Sequence, residues 1–141
     1  MSLTAFSKVG DFRSDLFIDQ VDTEYCMRLR SKGYRVIISL KIGMIHPLGY
    51  YRASKLHKLI RGSSMITNYP PVRHYYWTRN GVTLIKENFL RDFGWSLNQA
   101  YYLFFRRIIT VLLFEDQKII KLRNIILGIW HAILSRGGAK R

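Results

Sequence analysis

The apolar positions of this chain change period as it proceeds, and each change marks an expected element. Residues 15–19, DLFID, form a short apolar run bounded by aspartates, which is the pattern of a buried strand. A helix is expected next, with Asp22 or Thr23 as its N-cap and with Tyr25, Cys26 and Leu29 sharing one face. Arg28, Arg30 and Lys32 suit its C-terminal turn, and Gly33 is its natural stop. In YRVIISLKIGMIH, residues 34–46, Tyr34, Val36, Ile38, Leu40, Ile42 and Met44 alternate with Arg35, Ser39, Lys41 and Gly43. That is the period of two a strand requires. Strand, helix, strand is the unit this predicts, and it makes the fold class α/β.

Beyond it the pattern loosens and then turns helical. Residues 46–73 read as loop, punctuated by Pro47, Gly49, Gly62 and the Pro70–Pro71 pair. Val72, Tyr75, Tyr76, Ile85 and Phe89 stand at helical spacing over 72–89, although Gly81 in mid-helix costs about 1 kcal/mol relative to alanine. Two more helices are predicted over 95–114 and 116–135. In the last, Ile119, Leu122, Ile126, Trp130 and Ile133 make an apolar stripe edged by Lys118, Lys121 and Arg123, so it is amphipathic and basic.

Charge sharpens this division. Residues 1–45 hold seven Lys/Arg against five Asp/Glu, and residues 46–141 hold sixteen against four, contributing +2 and +12 to the formal +14. A second part so basic implies an anionic partner: nucleic acid, anionic lipid or a phosphorylated substrate. The apolar stretch 101–114 is interrupted by Arg106 and Arg107 and is shorter than the roughly 18–20 residues a membrane span needs, so any membrane role is peripheral. Cys26, the single cysteine, has no internal disulfide partner, and residues 1–10 lack the pattern of a signal peptide; both point to a reducing, cytoplasmic setting.

Three places carry candidate chemistry. Asp22 sits where a predicted strand gives way to a helix, the usual place for functional side chains in α/β folds. A carboxylate there can act as general base or metal ligand, but aspartate is also a preferred N-cap, which spacing alone favours. His46 follows the second predicted strand and can ligate a metal if carboxylates converge on it; without a Cys/His cluster a structural role is the commoner one. RHYYWTRNG, residues 73–81, mixes aromatic and cationic side chains that can stack on bases or sugars and grip phosphate. Equally, it can be a helix with Tyr75 and Tyr76 in the core and Arg73 and Arg79 solvated.

In order, these features resemble a known family. VGDFRSDLFIDQVDTEYCMRLRSKGYRVIISLKIGMIHPLG, residues 9–49, resembles the second half of the catalytic domain of family 2 glycosyltransferases, especially bacterial rhamnosyltransferases and galactofuranosyltransferase-like enzymes. Their pattern is an aromatic-rich G-F-x-x-x-L-F-I-D, an acidic pair opening a helix that ends in R-x-x-x-G, a strand, and H-x-x-G. The resemblance implies a GT-A fold. It matches Asp22 to the catalytic aspartate that deprotonates the acceptor hydroxyl, Glu24 to an acidic position that shapes the acceptor pocket, and His46 to a ligand of the divalent metal. The residue before the catalytic aspartate is usually acidic and is Val21 here, as in the F-I-D-x-V-D-x-E form of the rhamnosyltransferase-like branch, so Asp22 alone would carry the base; Asp19 is expected to be structural. PPVRHYYWTRNGVTLIKENF and KIIKLRNIILGIWHAILSRGG are similar to the stretch after the catalytic domain and to the closing helix of those enzymes.

The family's D-x-D triplet occurs nowhere in the chain. The expectation is therefore a C-terminal part of a GT-A catalytic domain at 1–50, a loop-rich and helical extension at 51–94, and amphipathic basic helices at 95–141. The implied function is the acceptor-side portion of an inverting glycosyltransferase of rhamnosyl type, acting on a cell-surface polysaccharide acceptor and inactive alone. In the complete enzyme a divalent metal, Mg or Mn, and a nucleotide-sugar donor are implied. The expected partners are a saccharide or lipid-linked acceptor, a nucleotide-binding half supplied elsewhere and an anionic membrane surface on the cytoplasmic side. The competing reading is a non-catalytic basic nucleic-acid-binding module.

Overall fold

The structure, a computed structural model, describes residues 3–37, 41, 43 and 49–138. In chain order these form α1 (Leu3–Val9), a 3-10 turn (Ser14–Leu16), α2 (Val21–Ser31), β1 (Tyr50–Ala53), α3 (Lys55–Arg61) and β2 (Met65–Asn68). Then come α4 (Pro71–Asn88), α5 (Phe93–Ala100), a π-helical turn (Tyr101–Arg106), α6 (Arg107–Phe114) and α7 (Lys118–Ile133). The fold is mixed α/β and mostly helical. Its sheet, among the described residues, is the antiparallel pair β1–β2 in the register Tyr50↔Asn68 to Ala53↔Met65.

Helix α4 is the axis of the molecule and packs chiefly along α7. Their backbones approach closely because Gly128 faces α4: a Cβ there would stand 2.7 Å from the Tyr75 carbonyl and 3.1 Å from the Arg79 amide. Gly81, which weakened the helical prediction, has a similar cause. A Cβ at that position would meet Leu103 Cδ1 at 2.5 Å, so the missing side chain lets the π turn seat against α4. The resulting core joins Val82, Leu103 and Ala132, with Trp77, Ile85 and Ile129 packed around it. Burial of Leu103 and its neighbours stabilises this junction by roughly 25 cal/mol per Å² of apolar surface removed from water.

The predicted strand at 15–19 is corrected by the structure. Its first residues belong to the 3-10 turn, and Phe17, Asp19 and Gln20 have φ of +63°, +62° and +65°. Among the described residues no ladder serves its backbone; α4 does instead. Arg79 donates to the carbonyls of Asp15 and Leu16 at 3.0 and 2.9 Å, and Asn80 Nδ2 donates to those of Leu16, Ile18 and Asp19 at 2.8, 2.7 and 2.9 Å. Of the second predicted strand, residues 34–37 have no regular structure, and most of the remainder lies outside the described residues. Among the described residues the strand-helix-strand unit is thus represented by its helix, α2, which ends at Gly33 as expected.

Two further differences concern the second part of the chain. The segment read as loop carries β1, α3 and β2, with Ser54 capping α3 by accepting from the His57 amide at 3.2 Å. In α7 the predicted apolar stripe faces outward. Ile119, Ile126, Trp130 and Ile133 are exposed, while Ile125, Gly128 and Ala132 meet α4. Lys121, expected at the edge of that stripe, is buried among polar partners.

Candidate functional site

The three carboxylates at the entrance to α2 have separate environments. Asp19 accepts from Arg73 at both oxygens, with Nη2 at 2.9 Å and Nε at 3.1 and 3.2 Å. Glu24 is buried and engages Arg28 through both oxygens at 3.0 and 3.1 Å, while Arg28 also donates to the Val9 and Asp11 carbonyls at 2.7 Å each. Glu24 thereby fixes α1 to α2. Asp22 is exposed and makes no hydrogen bond or ion pair among the described residues. It is not the N-cap that spacing favoured: the cap position is Gln20, so Asp22 lies inside the first turn with its oxygens free of capping duty. The left-handed residues just before it cost about 1–2 kcal/mol each and are held by the donors of Arg79, Asn80 and Arg73.

His46 lies outside the described residues. Within them no group of three His, Cys, Asp or Glu side chains could hold a metal ion. The one buried His–carboxylate pair, His74 Nε2 donating to Glu115 at 3.1 Å, is crowded by the cations Lys121 and Arg107, at 2.7 and 3.8 Å from Glu115. That electrostatic setting repels a further cation, so this pair is not a metal site, and the expectation of a divalent metal rests on His46.

The His74–Glu115 centre is a cluster that reading the sequence missed. Asn68 of β2 joins it by accepting from Lys121 at 2.5 Å, and the Tyr69 amide donates to Glu115 at 3.5 Å. Burial alone would raise the Glu115 carboxyl; the hydrogen bonds from His74 and Lys121 and the Arg107 charge overcome it and bring its pKa down to about 2. His74 is held below the usual imidazole range, chiefly by burial and also by the charges of Arg107 and Lys121, against the pull of Glu115. Its geometry agrees: Nε2 donates to Glu115, and Nδ1 accepts from Arg107 Nε at 3.3 Å. The cluster ties β2, α4, α6 and α7 together. It also presses the Arg107 guanidinium over Trp77 and Tyr69, 4.2 and 4.8 Å from their ring centroids.

Arg107 and Trp77 form one wall of a cleft of about 520 Å³ between the start of α2, α4 and the continuous α5–π–α6 helix. Gln20 and Thr23, which flank Asp22 in the chain, line it from one side. Trp95, Gln99, Tyr102 and Arg106 line it from the other, and the π turn sets the last two on a common face, with Arg106 5.0 Å from the Tyr102 ring centroid. Short π segments are frequent at functional sites. Of the aromatic and cationic segment 73–81, Trp77 alone lines this cleft. Tyr75, Tyr76 and Arg79 are buried, Arg79 to 2% exposure, so neither solvated arginine nor free stacking platform describes them.

No protein-family model matches the chain. No solved structure matches it significantly. Over 88 residues, 62% of this chain, it is 38% identical to the dTDP-rhamnosyl transferase RfbF of Shigella flexneri. The chain spans 28% of the length of that protein. By this partial likeness the chain is related to rhamnosyltransferase-like glycosyltransferases.

Proposed function

We propose that the chain supplies the acceptor-side portion of an inverting family 2 glycosyltransferase of GT-A fold and rhamnosyl type, with Asp22 as general base. The observation that carries this is the position of Asp22: the one acidic side chain at the α2 entrance without a partner among the described residues, between two residues that line a cleft. An alcohol is a weak nucleophile and needs its proton removed as it attacks. The Asp22 carboxylate accepts the proton of the acceptor hydroxyl while the oxygen bonds to the anomeric carbon of the donor sugar. The bond from that carbon to the nucleoside diphosphate breaks, and its electron pair leaves with the diphosphate. Glu24 acts through Arg28 as a positioning residue that keeps α2 in place beside the acceptor.

The donor is a nucleotide sugar, bound by a half that this chain completes, with His46 as its candidate ligand for a divalent metal. The partial likeness to a rhamnosyl transferase supports this class of donor. The acceptor belongs to a cell-surface polysaccharide, and the exposed stripe of α7 rests on the cytoplasmic face of the membrane where lipid-linked acceptors are presented. The alternative of a nucleic-acid-binding module loses Tyr75 and Tyr76 as stacking platforms and Arg79 as a phosphate grip, since all three are buried.

In the complete enzyme, Asp22→Asn is expected to lower kcat by about 10²–10⁴-fold, the usual worth of a positioned base, with the circular dichroism spectrum unchanged. Transfer that survives the substitution removes Asp22 from the mechanism.

A further inference from the structure

We infer that the cleft between α2, α4 and the α5–π–α6 helix binds a saccharide that carries a phosphate group. This deepens the proposed function by naming the ligand on its acceptor side, and it rests on that reading only for the ligand's role in transfer. The binding claim stands on the groups the cleft leaves without partners. Gln20, Thr23 and Gln99 line it, and their side chains make no hydrogen bond among the described residues. Amides and a hydroxyl that both donate and accept match sugar hydroxyls, which also do both.

The aromatic groups narrow the choice further. Trp77 has Arg107 against its ring and Tyr102 has Arg106, whereas the half-buried Trp95 ring has no ring or cation partner among the described residues. One open indole suits the apolar C–H face of a pyranose; it does not make the pair of facing rings that would sandwich a base. The cations divide likewise. Arg107 has Glu115 beside it, while Arg106 is exposed at the cleft and has no carboxylate among the described residues. Among the described residues Arg106 is therefore the cleft cation without a carboxylate beside it, and a phosphate matches the planar fork of a guanidinium. The volume of about 520 Å³ lies within the ~300–1,000 Å³ common for small-ligand sites.

The chain holds three tryptophans, of which Trp77 and Trp95 line the cleft and Trp130 lies on α7 away from it. In the ¹⁵N-labelled full chain, a panel of hexose 1-phosphates at millimolar concentration should shift the indole N–H signals of Trp77 and Trp95 and leave that of Trp130 in place. The parent hexoses and inorganic phosphate should each bind roughly tenfold more weakly, as expected for a charge-assisted contact added to a stacked ring. Arg106→Gln, an exposed position, should bring sugar phosphate and sugar to within about twofold of each other. Trp95→Ala should abolish the shifts at Trp77.

Equal binding of inorganic phosphate would reduce the cleft to an anion spot. Tighter binding of uridine monophosphate than of any sugar phosphate would make it a base site. No shift, or a shift at Trp130 as large as at Trp95, would also overturn the inference. The assay needs neither donor nor turnover, so its failure leaves the Asp22 assignment standing. Survival of transfer in Asp22→Asn leaves the cleft standing.

Discussion

Glu115 shows how much a single buried carboxylate organises in this molecule. It is 1% exposed, and His74, Lys121 and Arg107 converge on it from three helices. Its carboxyl is depressed from 4.5 to about 2, so the unfolded chain takes up a proton at a higher pH than the folded one. The stability it contributes, on the order of 3 kcal/mol, is present above pH 4.5 and is lost as the pH falls from there through about 2. His74 acts in the same direction over an earlier window. Folded, it resists protonation below its ordinary range, so stability begins to fall once acidification passes the unfolded value of 6.5. Urea midpoints measured from pH 7 to pH 3 should therefore decline in two stages. Glu115→Gln should remove the lower stage, and at pH 7 it should cost about 3–5 kcal/mol because the buried Lys121 and the part-buried Arg107 lose their counter-charge. A variant as stable as the parent at pH 7 would show that the cluster is not the tie proposed for it.

At the scale of elements, the crossing of α4 and α7 depends on an absent side chain. Gly128→Ala gains about 1 kcal/mol of helix propensity but sets a methyl 2.7 Å from the Tyr75 carbonyl, a rigid backbone atom. Overpacking of this kind costs about 1–3 kcal/mol, so the net change should be destabilising and visible as a lower Tm in calorimetry. An unchanged or raised Tm would mean the helices separate freely. The same elements show what periodicity can and cannot reveal. Helices α4 and α7 were legible because each carries apolar residues at helical spacing over four or more turns. The run at 15–19 was not, because five residues carry no distinguishing period, and the donors that fix Leu16 are Arg79 and Asn80, 63 and 64 residues away. The stripe on α7 was seen but its direction was not, since Ile125 is the one large apolar residue of a buried face otherwise built from Lys121, Asn124, Gly128 and Ala132, whose polarity or small size hides the packing. Asp22 was legible as a carboxylate at a helix start. Trp77, Trp95, Gln99 and Arg106 were not legible as a group, because they come from three elements and meet only in the folded chain.

For the molecule as a whole, the outward stripe of α7 and the charge of residues 46–141 belong to one argument. No helix among the described residues is long and apolar enough to cross a membrane. Yet Ile119 is 84% exposed, Ile126 67% and Trp130 56%, and with Leu122 and Leu127 they line an open apolar groove beside Arg123. Apolar side chains on one face with Lys118 and Arg123 alongside are the features of an interfacial helix, and each cation near an anionic surface adds about 1 kcal/mol. The proposed peripheral location then makes a specific demand. The chain should cosediment with phosphatidylglycerol-containing vesicles and leave them as salt shortens the electrostatic range, while phosphatidylcholine vesicles retain little of it. Ile126→Glu places a charge on a side chain already in solvent, so the fold should persist while vesicle affinity falls by at least about tenfold, the effect of an ionised group forced into the lipid boundary. If Ile126→Glu binds anionic vesicles as the parent does, the stripe is covered by another part of the enzyme and not by lipid, and α7 is then an interface within the complete protein.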